Sequence, residues 1–146
     1  MIVKVSMDNF YEVLPLIREY QEFYGVTNIN EQKNRIFFSQ FAQGSDNGML
    51  HMYKLGDAFI GFTTIYRTFS STRAQEVSVL NDLYVKKEHR GKGYAKALME
   101  NAFKCAKEEG FSRLQWVTAK DNETAQSLYN SLDATQSSWY FYAKDL

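Results

Sequence analysis

The stretch that decides the fold is Lys86-Lys87-Glu88-His89-Arg90-Gly91-Lys92-Gly93-Tyr94-Ala95, which follows a predicted strand and leads into a predicted helix. Its two glycines, Gly91 and Gly93, let the backbone come close to a ligand. The unpaired N–H groups of a helix's first turn, together with the helix dipole, attract anions. The stretch is therefore predicted to bind a ligand that carries phosphate.

The glycine spacing differs from both common nucleotide-binding loops. In the dinucleotide pattern Gly-x-Gly-x-x-Gly a third glycine would stand where this chain has Lys96. The Walker pattern requires Ser or Thr directly after its lysine, but Gly93 follows Lys92. The sequence therefore disfavours both nucleotide-binding folds.

The helix after this loop has the clearest periodic pattern in the chain. Its apolar residues recur at the i, i+3, i+4, i+7 spacing of one helix face. They are Ala95, Leu98, Met99, Ala102, Phe103 and Ala106. Gly110 follows at a position where a left-handed residue commonly ends a helix, and a strand from Glu76 to Val85 precedes the loop. A strand–loop–helix unit is therefore predicted at this point.

Further elements are predicted on both sides of this unit. Before it come a strand at 2–5, helices at 10–24 and from residue 30, and hairpin strands at 49–55 and 58–66. After it come a strand at 114–118, a helix at 124–132 and a strand at 138–143. The order β-α-α-β-β-β-α-β-α-β predicts an α/β fold with one mixed sheet covered by helices. Two local features are also expected: a type II′ turn at Gly56-Asp57, and a kink or break in the first helix at Pro15.

Length and composition limit the possible functions. With 146 residues, 45% of them hydrophobic, the chain fits a single domain spanning residues 1–146. Its formal net charge of zero gives no reason to expect nucleic-acid or membrane binding through bulk charge. The single Cys105 excludes an internal disulfide, and His51 and His89 lack partners at metal-ligand spacing and are expected at the surface or in turns. We expect a cytoplasmic protein without a metal site.

The zero net charge is the sum of two opposed local charges. Residues 86–92 contain four basic residues and one acidic residue, a local charge of +3. Residues 8–24 contain four acidic residues and one basic residue, a local charge of −3, among several aromatic residues. This pattern fits an anionic cofactor on one side of a cleft and a cationic amine on the other.

Two motifs in the chain resemble those of the GNAT N-acetyltransferases. Arg90-Gly91-Lys92-Gly93-Tyr94-Ala95 resembles the acetyl-CoA pyrophosphate loop of that family, whose signature is Arg/Gln-x-x-Gly-x-Gly/Ala. Asn122-Glu123-Thr124-Ala125-Gln126-Ser127-Leu128-Tyr129 is similar to the family's second motif, Asn-x-x-Ala-x-x-Leu-Tyr. Asn81-Asp82-Leu83-Tyr84-Val85 resembles the family's central strand, and the polyamine-type and Hpa2-like branch is the nearest in sequence. The resemblance, over residues 76–133, implies the GNAT fold and an acetyl-CoA-dependent N-acetyltransferase.

The resemblance also implies a set of cofactor-binding residues. Backbone amides of the loop would hold the pyrophosphate, and the backbone of the preceding strand would pair with the pantetheine arm. That pairing requires the sheet to splay beside the strand, and a β-bulge near Leu83 would turn an N–H toward the thioester carbonyl. The implied set is Leu83, Tyr84, Val85, Arg90, Gly91, Lys92, Gly93, Tyr94, Ala95 and Asn122. Asn122 also fits the N-cap of the following helix.

Three residues are expected to carry the acid–base chemistry. The resemblance implies that Tyr129 protonates the leaving thiolate, since a phenol has a pKa of about 10 and a typical thiol one near 8.5. Tyr129 also fits a core aromatic position. The attacking amine is protonated at neutral pH and needs a base. Polyamine acetyltransferases often have Glu at the position of Asn81, and Asn provides no carboxylate base there. Asp82 is therefore the first candidate and Glu76 the second, each acting directly or through water.

The acceptor is expected to be a primary amine on a small cationic molecule. A protein lysine or N-terminus is one alternative, and a non-catalytic acyl-CoA-binding sensor domain is another. Asp133 stands where the family usually has Gly, and Asp tolerates the left-handed conformation that this position requires. The tail has room for one strand, at 138–143, and a bare aromatic edge strand invites pairing. Either the seventh strand of the family's fold is vestigial in this chain or a partner subunit covers this edge, and a homodimer is expected.

Overall fold

The computed structural model describes residues 1–44 and 46–146, which form two compact units, Met1–Trp116 and Val117–Leu146. The elements of the first unit are β1 (Ile2–Lys4), α1 (Phe10–Phe23), α2 (Glu31–Ala42), β2 (Gly48–Leu55), β3 (Ala58–Ser70), β4 (Gln75–Val85), α3 (Tyr94–Glu108) and β5 (Leu114–Gln115). A 3₁₀ turn, Lys87–His89, lies between β4 and α3. The second unit contains α4 (Glu123–Asn130).

The first unit is built on a five-stranded sheet in the order β1-β2-β3-β4-β5. Neighbouring strands from β1 to β4 run antiparallel, and β5 runs parallel to β4. Gly56 at the β2–β3 turn has a φ of 59°, the sign that the first position of a type II′ turn requires. The predicted α/β fold with a mixed sheet is confirmed.

Helices cover both faces of this sheet. On one face α1 and α2 pack on β2, β3 and β4; the main buried residues are Phe10, Val13, Leu16, Ile17, Phe38, Phe41, Leu50, Met52, Phe62 and Tyr84. On the other face α3 buries Leu98 and Met99 completely, and Leu98 approaches the backbone at Gly61. Each fully buried side chain of this size stabilises the fold by roughly 1.5–3 kcal/mol. The β4–α3 connection is thus fixed by packing at both of its ends.

The C-terminal end of α3 has the predicted glycine geometry. Gly110 has a φ of 80°. Its N–H donates to the Lys107 carbonyl at 3.1 Å, and the Phe111 N–H donates to the Ala106 carbonyl at 3.0 Å. This pair of hydrogen bonds is a Schellman motif, so the predicted helix end is confirmed.

Two local predictions are wrong, and one alternative of a third is wrong. Residues 138–143 form no strand, and the side chains of Trp139, Tyr140, Phe141 and Tyr142 are exposed. β5 is two residues long instead of spanning 114–118. The break that was one of the two outcomes predicted at Pro15 is absent, because α1 is continuous from Phe10 to Phe23; Pro15 is exposed, so the Tyr11 carbonyl that loses its helical donor can bond to water.

The second unit has two features expected from its sequence. Asn122 is the N-cap of α4, and its side chain accepts a hydrogen bond from the Ala125 N–H at 3.1 Å. Asp133 has a φ of 54°, so it adopts the left-handed conformation expected there. Among the described residues of the whole chain, no helix has both the length and the apolar character needed to cross a bilayer.

Candidate functional site

The loop between β4 and α3 presents a row of N–H groups without acceptors. Gly93 is the N-cap of α3, with a φ of 84°, and it provides no side-chain cap. Among the described residues, no acceptor pairs with the N–H groups of Gly93, Tyr94, Ala95 and Lys96. Nothing lies within 4 Å of a Cβ placed on Gly91 or Gly93, so the space beside the loop is open. This arrangement can bind an anion through its backbone.

The basic side chains of the loop make contacts within the protein. The Arg90 Nε donates to the Val85 carbonyl at 2.9 Å, and its guanidinium lies 4.7 Å from the centre of the Phe23 ring. The Lys92 Nζ donates to the Glu88 carbonyl at 3.0 Å. Arg90 therefore braces the loop against β4 and α1, and the backbone N–H groups provide the better-placed anion contacts.

β4 contains a bulge close to the predicted position. Thr64 on β3 pairs with Asp82, but the next residue, Ile65, pairs with Leu80. Asn81 is therefore the extra residue of the bulge, two positions before the Leu83 expected from the sequence. Bulges bend a strand and re-aim its side chains, and they are common beside active sites.

The pairing between β4 and β5 is short. Only Ser78 and Val79 of β4 pair with β5, at Leu114 and Gln115. Within the described part of Met1–Trp116, no strand continues this ladder along Leu80–Val85. The fold of the first unit thus leaves this side of β4 free for an extended ligand to pair with its backbone, as the predicted splay requires.

The predicted cofactor residues on β4 are largely covered. Leu83 is half-buried, whereas Tyr84 and Val85 are buried. The Tyr84 hydroxyl donates to Glu19 Oε2 at 3.2 Å, so its side chain points toward α1. Burial and the Glu19 carboxylate both raise the pKa of Tyr84. These residues can contact a cofactor chiefly through their backbone.

Asp82 is a buried carboxyl on the same strand. Its exposed fraction is 4%, and no basic side chain of the described residues forms an ion pair with it. Asn81 Nδ2 donates to its Oδ1 at 3.1 Å, whereas the buried Oδ2 accepts no hydrogen bond of regular geometry. Burial raises the pKa of Asp82, and the nearby hydroxyls of Thr64 and Tyr20 and the Asn81 amide oppose this shift. Such a carboxyl is suited to accept and release a proton.

Glu76, the second base candidate, lies in a different part of β4. It forms an ion pair with Arg67, which also approaches Glu109 at 3.9 Å. Glu76 stands six positions before Asp82 along the strand, a separation of roughly 20 Å. The structure therefore does not bring Glu76 together with Asp82 or with the loop.

The two remaining predicted residues, Asn122 and Tyr129, belong to the second unit. The Asn122 Oδ1 caps α4, so the alternative N-cap interpretation is confirmed. Its amide Nδ2 is not used by that bond. Tyr129 is half-buried on α4.

Tyr20 is a residue whose position the sequence did not predict. It projects from α1 and makes edge-on ring contacts with Tyr24, Phe62 and Tyr84 at centroid distances of 4.8, 5.7 and 6.1 Å. Burial and the Asp82 carboxylate raise the pKa of Tyr20. In the sequence Tyr20 is one of several aromatic residues on an acidic helix, and no motif marks it.

His51 corrects a further expectation. It is 5% exposed on β2, and its Nε2 lies 3.6 Å from the Cys105 Sγ, so the predicted surface location is wrong. Burial and Lys4 lower the pKa of His51 to about 4, and burial raises the pKa of the Cys105 thiol. Both groups are therefore neutral at pH 7, and Cys105 is not an activated nucleophile.

Comparisons with known proteins identify the family. The model of the acetyltransferase (GNAT) family matches residues 13–133. The chain is 33% identical over 117 residues to the uncharacterized N-acetyltransferase YhfO of Bacillus subtilis, covering 80% of this chain and 77% of that protein. It is 24% identical over 152 residues to the thialysine N-epsilon-acetyltransferase of Caenorhabditis elegans, covering 99% and 91%.

The fold comparison agrees with the sequence comparisons. A crystal structure of a probable acetyltransferase has a TM-score of 0.87 and 28% identity, covering 100% of this chain and 97% of that one. The family's cosubstrate, acetyl-CoA, contains the pyrophosphate that a helix N-terminus with free N–H groups can bind. The chain belongs to the GNAT family and is an acetyl-CoA-dependent N-acetyltransferase.

Proposed function

We propose that the protein transfers the acetyl group of acetyl-CoA directly to a primary amine of a small cationic molecule. The observation that carries this proposal is that one strand, β4, contains the buried, unpaired Asp82 carboxyl and leads into the loop with free N–H groups. The Asp82 carboxyl, a proton acceptor, and the anion-binding N-terminus of α3 would thereby keep a fixed distance from each other.

The residues present fit acetyl-CoA, which supplies the activated acetyl thioester. The N–H groups of Gly93–Lys96 would hold the pyrophosphate, and the backbone of Leu83–Val85 would pair with the pantetheine arm. The left-handed glycines and the open space beside them support this fit. Asn122 would donate to the cofactor arm through Nδ2, because its Oδ1 caps α4.

Asp82 is the proposed base for the attacking ammonium group. Its Oδ2 has a lone pair that no regular hydrogen bond occupies, and burial raises its pKa. A base with a raised pKa holds the proton more firmly than an ordinary Asp would. Glu76 is a weaker proposal because its carboxylate is paired with Arg67.

Tyr129 is the proposed acid, on the strength of the Asn-x-x-Ala-x-x-Leu-Tyr motif in α4. The phenol has a proton to give because its ordinary pKa of about 10 keeps it protonated at neutral pH. The proposal assigns no covalent enzyme intermediate, which agrees with a Cys105 thiol that burial keeps protonated.

The small cationic acceptor is supported by the chemistry of α1 and by one relative. α1 brings aromatic rings next to Asp82, and aromatic faces attract cations. Glu19 and Glu22, however, are paired with Lys86 and Arg18 at 3.1 Å each, so they neutralise part of the acidic patch. The Caenorhabditis elegans relative is named for thialysine, a molecule with a primary amine.

The test is an acetyl-transfer assay of the full chain with thialysine, ornithine, spermidine and an aminoglycoside. The release of the CoA thiol and the mass of the product are measured. We expect Asp82→Asn to lower kcat/KM by on the order of 10²–10⁴-fold. Glu76→Gln, a matched loss of a carboxylate on the same strand, should change it by less than about threefold. If acetyl-CoA binds but no amine causes thiol release, the non-catalytic sensor alternative is supported instead. If transfer occurs only to a protein lysine or N-terminus, the protein acetyltransferase alternative is supported.

The single-domain organisation, the homodimer, the cytoplasmic location and the lack of nucleic-acid or membrane partners stay predictions from the sequence. Sedimentation equilibrium of the full chain tests the dimer.

A further inference from the structure

Asp82 lies in a cluster of hydroxyl-bearing side chains on the sheet face that α1 covers. We define the Tyr20 cluster as Tyr20, Thr64, Tyr66 and Asp82. Thr64 is the cross-strand partner of Asp82, and both residues are buried. The Thr64 Oγ1 and the Asp82 Oδ2 are buried atoms without a hydrogen bond of regular geometry. The carboxyl therefore has few fixed contacts of its own.

Tyr20 occupies a different position in this cluster from Tyr66. Burial raises the pKa of both tyrosines and the charge of Asp82 raises it further, but a hydrogen bond to the Asp82 carboxylate contributes to the raised pKa of Tyr20 alone. The ring of Tyr20 contacts the Phe62 and Tyr84 rings, while the ring of Tyr66 stacks on Phe41 at 5.3 Å. Tyr20 is thus the member of the cluster that the packing directs toward Asp82 from α1.

We propose that Tyr20 is a positioning residue for acetyl transfer: its hydroxyl, held by the surrounding aromatic rings, orients the Asp82 carboxyl and favours its ionised form. This inference rests on the proposed role of Asp82 as the base. The proton passes from the ammonium nitrogen to Asp82 Oδ2, and the phenol of Tyr20 keeps its own proton throughout. The other polar groups facing Asp82 are Thr64 and Tyr66 from β3 and Asn81 from β4.

Carbon NMR of the protein labelled at the aspartate side-chain carboxyls tests the inference without an amine substrate. Asp82→Asn identifies the Asp82 resonance by removing it. Tyr20→Phe deletes only the hydroxyl and should raise the pKa of Asp82 by about one to two units, because a hydrogen bond to a charged group is worth ~1.5–3 kcal/mol. Tyr66→Phe, the matched control, should shift it much less. Equal shifts in the two variants, or none in either, would overturn the inference.

The pH profile of kcat/KM, measured with the best amine of the panel above, provides the second readout. Tyr20→Phe should move the acidic limb to higher pH by the same amount, giving about a 10- to 150-fold loss below the limb and recovery above it. A uniform loss at every pH would indicate a merely structural role and would refute the inference. If Asp82→Asn retains full activity, the base assignment itself fails; if only the Tyr20→Phe profile is unchanged, the positioning role alone fails.

Discussion

A carboxylate at Gly93 tests the cofactor loop against a matched change at the other end of the same helix. Gly93 and Gly110 have φ values of 84° and 80°, and nothing lies within 4 Å of a Cβ at either position. Asp tolerates this conformation, as Asp133 shows with a φ of 54°. Gly93→Asp and Gly110→Asp therefore impose the same backbone strain and add the same charge.

The added charge changes the stability of α3 in opposite directions at its two ends. The negative charge stabilises the helix at its N-terminus and destabilises it at its C-terminus, by about 0.3–1 kcal/mol in each case. At Gly93 the new carboxylate also accepts from the N–H groups of the first turn. Loss of one charge-assisted hydrogen bond to the pyrophosphate costs about 1.5–3 kcal/mol, which is roughly a 10- to 150-fold weaker affinity.

Isothermal titration calorimetry with acetyl-CoA measures this difference, and thermal unfolding checks the fold of both variants. We expect Gly93→Asp to be the more stable variant of the two and the weaker binder. Gly110→Asp should bind acetyl-CoA as the unaltered chain does. If Gly93→Asp retains the unaltered affinity, the loop does not hold the pyrophosphate.

Three further predictions concern other parts of the molecule. Tyr129→Phe should lower kcat/KM by on the order of 10²-fold; unchanged turnover at every pH would rule out its role as the acid. The pKa of His51 is about 4 in the folded chain, below its ordinary value of 6.5. The unfolded chain therefore binds an extra proton at low pH, and the free energy of unfolding should fall by up to about 3 kcal/mol as pH drops from 6.5 to 4. Urea unfolding should show a smaller loss of stability in His51→Gln than in the unaltered chain, and an identical loss in the two would contradict this assignment. Gly61→Ala places a Cβ 2.5 Å from the Tyr84 carbonyl oxygen and should destabilise the fold by about 1–3 kcal/mol; a melting temperature equal to that of the unaltered chain would show that the contact relaxes freely.

The loop and α3 could be predicted from the sequence because their signals are local. The glycine spacing, the apolar stripe of α3 and the Gly110 helix end each depend on a few neighbouring residues. The bulge in β4 was expected from the family resemblance, and its position at Asn81 is fixed by the register with β3. Local patterns of this kind survive in the folded protein because packing and backbone conformation favour the same structure.

The errors arise where a residue's environment depends on distant parts of the chain. Residues 138–143 have high strand propensity, but a strand needs a partner that pairs with its backbone. His51 is predicted at the surface until β2 is known to be an interior strand of the sheet with α3 over one face. Tyr20 acquires its relation to Asp82 only when α1 packs on β3 and β4.

The most direct test of the central claim is an amide NMR titration of the full chain with acetyl-CoA. The backbone N–H groups of Gly93, Tyr94, Ala95 and Lys96 have no acceptor among the described residues. They should therefore show large downfield shifts that saturate with acetyl-CoA, while Gly110 at the far end of α3 stays unchanged. Saturable binding with no shift at these four amides would contradict the assignment of the acetyl-CoA site.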